Sequence, residues 1–350
     1  MRKFEPTSIL IVRLSAIGDV IMASGLIPAL RAVYPKARIG WLTEAPNVEL
    51  LRHNPRLDRL HLWPRSQWKE LRQQGKYRQL LREVLSLIRL IRAERYDWVL
   101  DLQGLMKSAI WARLVGGRWR IGLRCREGSG LLMNEVITVK SGDRRIGSEY
   151  RQLAEFLGAL PSEFALDITV AETDRISAIE VLRSENISGD FATIAPFTTR
   201  PQKHWFEESW ARLVIQLASE RNWPVVMLGG PRDKNRAEAI SALAGGHIVN
   251  LVGKTSLGLC AAIIERSLLH IGVDTGLTHL GVALQRPTLA LFGSTCPYID
   301  ACNPNARVLY QRLPCSPCRR HPTCGGTFDC MRQHSPDSVL AAAASLGDSI

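Results

Sequence analysis

Residues 272–279 carry the clearest chemical signal in the chain and read Gly-Val-Asp-Thr-Gly-Leu-Thr-His. An apolar run that is typical of a buried strand precedes them, and a small-residue helix over 277–284 is predicted to follow. Backbone N–H groups and the dipole at a helix start favour an anion, typically phosphate. An ordinary turn with Thr275 as helix N-cap would have the same sequence.

A similar element opens the chain, where an apolar strand over 9–12 leads through a small-residue turn into a helix predicted over 20–34. Gly18 allows a ligand close to the backbone, and Asp19 stands at the helix start. Asp19 either caps that helix or is a functional carboxylate at the carboxyl end of the first strand, where open α/β sheets bind ligands. The turn lacks the dinucleotide and P-loop patterns, which argues against both site types.

The elements that must position these residues form two similar halves. Short apolar runs alternate with amphipathic stretches, which predicts an α/β protein with parallel sheets. At 350 residues the chain is long for one core, so we predict domains over 1–170 and 191–350 with a linker over 171–190. The predicted strands are 9–13, 38–42, 59–62, 97–101 and 119–121, then 191–195, 224–228, 247–251, 268–273 and 288–292.

Four motifs occur in order over roughly residues 8 to 295. They are Ser15-Ala16-Ile17-Gly18-Asp19-Val20, Asp101-Leu102-Gln103-Gly104-Leu105-Met106-Lys107-Ser108, Thr198-Thr199-Arg200-Pro201-Gln202-Lys203-His204-Trp205 and Val273-Asp274-Thr275-Gly276-Leu277-Thr278-His279. With them the chain resembles the ADP-heptose:lipopolysaccharide heptosyltransferases of glycosyltransferase family 9. The resemblance implies the GT-B fold, in which two Rossmann-like parallel-sheet domains face a central cleft.

The resemblance also implies an activity: inverting, metal-independent transfer of L-glycero-D-manno-heptose from ADP-heptose to a Kdo or heptose of the lipopolysaccharide inner core. Asp19 matches the general base and Lys203 the cation near the diphosphate. Expected donor-binding residues are Gly18, Thr198, Thr199, Asp233, Asp274, Thr275, Gly276, Leu277, Thr278 and His279. Expected acceptor-binding residues are Gln103, Lys107, Arg120, Arg124 and Arg65. Alternatively, Lys203 is an ordinary surface lysine and His279 is a hydrogen-bonded histidine of the core that contacts no ligand.

Charge is distributed very unevenly. Residues 1–150 hold 27 Lys and Arg against 14 Asp and Glu, whereas the remaining 200 residues hold 18 against 19. Such a basic half suits nucleic acid, an anionic membrane surface or a phosphorylated glycolipid, although arginines at helical spacing over 78–92 can also simply solvate a helix face. The resemblance selects the lipid A core glycolipid and a peripheral place on the cytoplasmic face of the inner membrane, with no nucleic acid. The apolar runs are shorter than a membrane span and the first residues do not resemble a secretory leader, so we expect neither a spanning segment nor secretion.

Six of the eight cysteines fall within 296–330. Cys315, Cys318, Cys324 and Cys330 begin with the tight pair of a structural metal knuckle, so they either bind zinc or iron or pack a loop as free thiols. We expect no cofactor for catalysis and no part for these cysteines in sugar transfer.

Three other functions fit parts of the sequence. A family 9 enzyme could use another sugar nucleotide or a protein acceptor. A non-catalytic polyanion-binding or nucleic-acid-binding α/β protein would explain the basic half, although no known nucleic-acid-binding motif accompanies it. A nucleotide-dependent oxidoreductase would explain the two α/β halves, yet the dinucleotide fingerprint is absent.

Overall fold

A computed structural model of the chain describes residues 4–347 and divides it into two compact units. The first unit comprises the residues up to 143 together with 147–169, and the second comprises 144–146 and the residues from 170 onward. Residues 172–184, which lie inside the predicted linker, form a helix of the second unit. Arg175 of this helix donates two hydrogen bonds, of 2.7 and 2.9 Å, to Glu265 of a neighbouring helix.

The first unit is a six-stranded parallel sheet covered by helices. Its strands are β1 Ser8–Val12, β2 Arg38–Glu44, β3 Arg59–Trp63, β4 Trp98–Asp101, β5 Trp119–Leu123 and β6 Glu135–Ile137. Its helices are α1 Ile17–Ala23, α2 Leu26–Val33, α3 Ala45–Leu51, α4 Arg65–Gln73, α5 Tyr77–Ala93, α6 Met106–Val115 and α7 Ser148–Phe156. All strand pairs are parallel, in the order β3-β2-β1-β4-β5-β6.

Strand β1 shows why this sheet forms. Its side chains are all buried, as expected for a central strand that is covered on both faces. Because successive side chains of a strand point to opposite faces, Ile9 and Ile11 belong to one hydrophobic core, and Leu10 and Val12 belong to the other.

The second unit repeats this architecture. Its strands are β7 Ala192–Ala195, β8 Val225–Met227, β9 Ile248–Asn250, β10 Leu269–Val273, β11 Thr288–Phe292 and β12 Ala306–Tyr310. Its helices are α8 Glu172–Ser184, α9 Glu207–Arg221, α10 Lys234–Leu243, α11 Leu257–Arg266, α12 Gly276–Ala283, α13 Asp329–Arg332 and α14 Pro336–Gly347. The strand order is β12-β11-β10-β7-β8-β9, and every pair is parallel.

Each sheet therefore has the strand order of a Rossmann fold, with a switch point where the order reverses. The switch lies between β1 and β4 in the first unit and between β7 and β10 in the second. Loops that leave the carboxyl ends of these strands form the place where such sheets bind ligands.

The ten predicted strands are confirmed, but two strands and one helix break were not predicted. β6 and β12 are edge strands whose side chains are largely half-buried, as are those of the predicted edge strands β3 and β9. The helix predicted over 20–34 is two helices separated at Ser24 and Gly25. No helix within residues 4–347 has the length and apolar character needed to cross a membrane.

Gly104, just before α6, lies in the turn at the switch point, and substitutions of it test whether this turn can accommodate a side chain. Its φ is +63°, and a Cβ there would lie 2.4 Å from the Leu123 carbonyl oxygen. Gly75 has a similar φ of +70° but open space around it. We expect Gly75→Ala to lower the free energy of unfolding by about 1 kcal/mol, from backbone strain alone.

Gly104→Ala should cost about 1–3 kcal/mol more than Gly75→Ala, because a backbone carbonyl cannot move aside as a flexible side chain can. Urea denaturation of both variants measures the difference. Equal losses in the two variants would show that the turn relaxes freely around the added methyl group.

Candidate functional site

The carboxylate of Asp274, directly after β10, is the centre of a polar cluster in the second unit. Lys203 Nζ lies 2.6 Å from its Oδ2 atom, and His279 Nε2 lies 3.3 Å from its Oδ1 atom. The Thr295 hydroxyl also donates to Oδ2. Only 11% of the Asp274 side chain and 16% of the Lys203 side chain are exposed, so this ion pair is largely withdrawn from water.

The surroundings of Asp274 keep its carboxylate charged. Burial alone would raise its pKa, but the hydrogen bond and charge of His279, together with those of Lys203, hold the pKa well below its ordinary value. On the far side of the imidazole ring, His279 Nδ1 lies 2.9 Å from the Tyr298 hydroxyl. Because Nε2 faces a carboxylate it carries a proton, so in the neutral ring Nδ1 accepts from Tyr298.

The loop after β7 brings three predicted residues to the same edge of the sheet. The half-buried Thr198 donates its hydroxyl to the Asp274 carbonyl at 3.2 Å, and Thr199 is exposed beside it. Lys203 ends a short 3-10 turn over Pro201–Lys203. β7 and β10 are hydrogen-bonded neighbours, so their loops meet at the switch point.

Helix α12 begins immediately after Asp274. Thr275 occupies the N-cap position without a capping hydrogen bond from its side chain, and Gly276 and Leu277 are partly exposed. The first N–H groups of any helix have no intrahelical partner, so this end favours an anion. Thr278 is different: its buried hydroxyl donates to the Val273 carbonyl at 2.6 Å, and it could contact a ligand only if that bond broke.

Asp233 follows β8, the other neighbour of β7, in a short turn over Pro231–Asp233. Its Oδ2 atom accepts from the Gly230 N–H at 2.9 Å, and the residue is half-buried. The turn thus fixes the carboxylate while part of it stays accessible for a hydroxyl donor.

Asp19 lies at the switch point of the first unit, in the first turn of α1. Its Oδ2 atom is 2.5 Å from an Arg13 guanidinium nitrogen and accepts from the Ala16 N–H at 3.3 Å. Arg13 is buried and also donates to the Leu102 carbonyl at 2.8 Å, so the guanidinium links the loops after β1 and β4. The carboxylate therefore caps α1, yet 39% of the Asp19 side chain remains exposed to solvent next to the partly exposed Gly18.

The turn after β4 is organised by the fully buried Asp101. Its carboxylate accepts from the N–H groups of Gln103 and Gly104 and from the Ser108 hydroxyl, at 3.0–3.3 Å. Burial raises the pKa of Asp101 to about 6. The Gln103 side chain in turn accepts from the Leu14 N–H at 3.2 Å, which connects this turn to the loop that carries Asp19.

Basic side chains surround this edge of the first sheet. Lys107 and Arg65 lie 5.9 and 6.0 Å from the centre of the Trp63 ring, and Arg65 pairs with Glu44 at 3.4 Å. Burial, followed by the charge of Arg65, lowers the pKa of Lys107. Arg124 follows β5 and pairs with Glu149 at 2.7 Å.

Arg120 does not join these residues. It is the second residue of β5, and its guanidinium donates to the Leu132 and Gly117 carbonyls at 2.9 and 3.0 Å. In the strand register it pairs with Val99, before the carboxyl end of β4.

Comparison with known proteins identifies the family. The family model described as glycosyltransferase family 9 (heptosyltransferase) matches residues 84–327. The chain belongs to glycosyltransferase family 9.

Curated relatives of this glycosyltransferase cover most of its length. It is 30% identical to lipopolysaccharide heptosyltransferase 1 of Pseudomonas aeruginosa, over 89% of this chain and 85% of that protein. It is 25% identical to the lipopolysaccharide core heptosyltransferase OpsX of Haemophilus influenzae, over 84% of this chain and 82% of the relative.

Solved structures agree on the fold. E. coli ADP-heptose lps heptosyltransferase II superimposes with a TM-score of 0.77 at 22% identity, over 98% of this chain and 99% of that one. E. coli heptosyltransferase WaaC with ADP-2-deoxy-2-fluoro heptose gives a TM-score of 0.69 at 24% identity, over 97% and 99%. The predicted α/β fold of GT-B type, with two Rossmann-like parallel-sheet domains, is confirmed.

The cysteines of this family 9 protein do not form the metal knuckle that their spacing suggested. Within residues 4–347, no three His, Cys, Asp or Glu side chains are placed to hold a metal ion. Cys315, Cys318, Cys324 and Cys330 are free thiols, and burial raises the pKa of Cys330 to about 11. Cys315 is exposed, whereas Cys318 and Cys324 are half-buried and Cys330 is buried.

From the sequence, no site role was predicted for three residues: Arg13, which pairs with Asp19, and Thr295 and Tyr298, which lie in the cluster around Asp274 and His279. Thr295 and Tyr298 follow β11, a hydrogen-bonded neighbour of β10, so the rule that ligand-binding loops leave carboxyl strand ends was a usable signal. Arg13 directly follows β1 and reads in the sequence as an ordinary charged strand end.

The raised pKa of Asp101 predicts a pH dependence of stability. The folded protein holds this proton up to about pH 6, whereas the ordinary value is 3.8. The unfolded chain therefore binds fewer protons between these values, and this contribution to stability is lost as the pH rises from about 4 to 6. Relative to Asp101→Asn, the wild type should lose roughly 2–3 kcal/mol across this window in urea denaturation.

Asp97→Asn provides a control of opposite sign. Burial opposes ionisation of Asp97, but hydrogen bonds from Thr7 and Ser8 outweigh it and lower its pKa. The wild type should therefore gain stability over Asp97→Asn as the pH rises toward 4. If the difference in free energy of unfolding between the wild type and Asp101→Asn stayed constant from pH 4 to 7, the raised pKa of Asp101 would be contradicted.

Proposed function

We propose that this family 9 glycosyltransferase transfers L-glycero-D-manno-heptose from ADP-heptose to a Kdo or heptose residue of the lipopolysaccharide inner core. The observation that carries the proposal is the Lys203–Asp274 pair beside the start of α12, at the switch point of the second sheet. The names of the Pseudomonas and Haemophilus relatives as lipopolysaccharide heptosyltransferases, and the E. coli structure with ADP-2-deoxy-2-fluoro heptose, support heptose transfer from ADP-heptose to lipopolysaccharide.

The second unit would hold the donor. Lys203 and the free N–H groups of Gly276 and Leu277 would supply the positive charge that a departing diphosphate needs. The buried Asp274 carboxylate holds the lysine ammonium in place, with His279 and Thr295 completing its hydrogen bonds. Thr198 and Thr199 would donate to phosphate oxygens, and Asp233 would accept from ribose hydroxyls.

The first unit would supply the base. In the proposed step the acceptor hydroxyl attacks the anomeric carbon of heptose and its proton passes to the Asp19 carboxylate. The bond from the anomeric carbon to the diphosphate oxygen breaks, ADP leaves with the electron pair, and the configuration inverts. Lys203 and the α12 N-terminus carry the charge of the leaving group, so no metal takes part in the proposed step.

Acceptor phosphate and carboxylate groups would meet Lys107, Arg65, Arg124 and Gln103 at the carboxyl edge of the first sheet. Of these, Lys107 and Arg65 lie close together at Trp63. Arg120 is left out of this proposal because backbone carbonyls already occupy its guanidinium. Because the acceptor is a lipid, we also propose that the enzyme works at the cytoplasmic face of the inner membrane as a peripheral protein.

ADP release from ADP-heptose in the presence of a truncated core lipid tests the activity. Asp19→Asn should keep donor affinity and lower turnover about 10²–10⁴-fold, because the amide cannot take the proton.

Asp58→Asn is a matched control. Asp58 also pairs with an arginine, Arg31 at 2.8 Å, and 42% of its side chain is exposed, but it lies before β3, at the amino end of that strand. Near-normal turnover of Asp19→Asn would reject the base. Release of a nucleoside diphosphate only with another sugar nucleotide, or ADP release only with a protein acceptor, would reject the substrates.

Lys203→Ala should lower kcat roughly 10²-fold or more, since the charge developing on the diphosphate would lose its cation. Lys203→Arg should recover part of this rate, because the charge is kept while the geometry changes. The exposed Lys254, also in the second unit, provides the control, and Lys254→Ala should match the wild type. An unchanged kcat in Lys203→Ala would show that this lysine only stabilises the fold around Asp274.

A further inference from the structure

Helix α5 of the first unit exposes an apolar stripe that the proposed chemistry does not use. Tyr77, Leu81 and Leu85 are 64%, 59% and 38% exposed. They follow one another at four-residue spacing, so they span about 80° of the helix surface as a continuous line. The buried face of the helix adjoins this stripe: Ile88 and Ile91 lie within about 40° of it and are buried in the core over which α4, α5 and α6 pack, so the stripe is the exposed margin of the apolar face.

A stripe of arginines runs beside the apolar one. Arg78, Arg82 and Arg89 are exposed, and none of them forms an ion pair with any residue between 4 and 347. The single acidic residue of α5, Glu83, turns toward α4 instead, where it accepts from Trp68 Nε1 at 2.9 Å. No charge on the helix therefore neutralises the arginines.

This combination distinguishes α5 from a merely solvated helix. The need to keep the helix surface in contact with water explains the arginines, but it does not explain three large exposed apolar side chains in a line next to them. A helix with apolar side chains along one strip and cations beside it lies flat in the interface of an anionic bilayer, with its apolar strip among the acyl chains. A two-fold contact with a second copy would bring like charges close together, which disfavours self-association on this face.

We propose that the face formed by Tyr77, Leu81 and Leu85, with Arg78, Arg82 and Arg89 beside it, docks the enzyme on an anionic lipid bilayer. The proposal deepens the peripheral membrane location included in the proposed function, because it names the element that makes the contact. The leucines would enter the interface and the arginines would pair with lipid phosphates. Docking would bring the enzyme to a lipid-linked acceptor.

Flotation of the full-length protein with vesicles tests the surface. The wild type should bind vesicles of phosphatidylcholine mixed with phosphatidylglycerol, and bind pure phosphatidylcholine vesicles weakly. Leu81→Glu combined with Leu85→Glu should lower the bound fraction at least about tenfold. Replacing Arg78, Arg82 and Arg89 by Gln should remove the preference for the anionic lipid and the sensitivity to salt.

Leu90→Glu is the matched control. Leu90 is 55% exposed, nearly as much as Leu81, but it lies roughly on the opposite side of the helix axis. This variant should bind vesicles like the wild type, and thermal unfolding should show that all variants are folded. Wild-type flotation of the Leu81→Glu and Leu85→Glu variant, or an equal loss in Leu90→Glu, would overturn the proposal.

Two further readouts separate this inference from the proposed activity. ADP release with a deacylated, water-soluble acceptor should be unchanged in the Leu81→Glu and Leu85→Glu variant, whereas release with vesicle-embedded acceptor should fall. A protein that floats through this face but releases no ADP would reject the activity alone. If the wild type is a dimer without vesicles and the variant is a monomer, the face is an interface between copies and the lipid proposal is wrong.

Discussion

Parallel strand pairing is the constraint on which the rest of this structure depends. Because every strand of a sheet runs in one direction, all carboxyl ends lie along one edge, and the chain must cross back before each new strand, in most cases through a helix. Both sheets also reverse their order beside the first strand of the unit, which opens a place between two outgoing loops. Asp19 and Gln103 lie at one such place, and Lys203 and Asp274 lie at the other.

The two switch points use carboxylates in different electrostatic settings. Asp274 is nearly buried and surrounded by Lys203, His279 and Thr295, so its charge is compensated and its geometry is fixed. Asp19 has one arginine partner and keeps a substantial exposed fraction. A carboxylate held by several donors is suited to positioning a cation, whereas one with a free side is suited to receiving a proton.

Much of the fold and part of the candidate site followed from the sequence for local reasons. Buried parallel strands such as β1 and β8 are largely or wholly apolar, and strand-to-helix turns carry small and polar residues, so both are visible in a short window. The edge strands β6 and β12 were not predicted, whereas the edge strands β3 and β9, which are also largely half-buried, were. The spacing of four cysteines is equally local, whereas metal binding needs the sulfur atoms to converge in space, and within residues 4–347 no such group is placed to hold a metal.

The sequence by itself determined the alternation of strands and helices, the basic character of the first half and the residue types at the two turns, because these depend on neighbouring residues. Only the tertiary structure decided which side chains meet. It paired Lys203 with Asp274 across 71 positions of chain, brought Thr295 and Tyr298 to the same cluster, and directed Arg120 to backbone carbonyls instead. The Lys203–Asp274 contact joins loops from β7 and β10, which are distant in sequence, and pairing between such strands depends on the packing of the whole sheet.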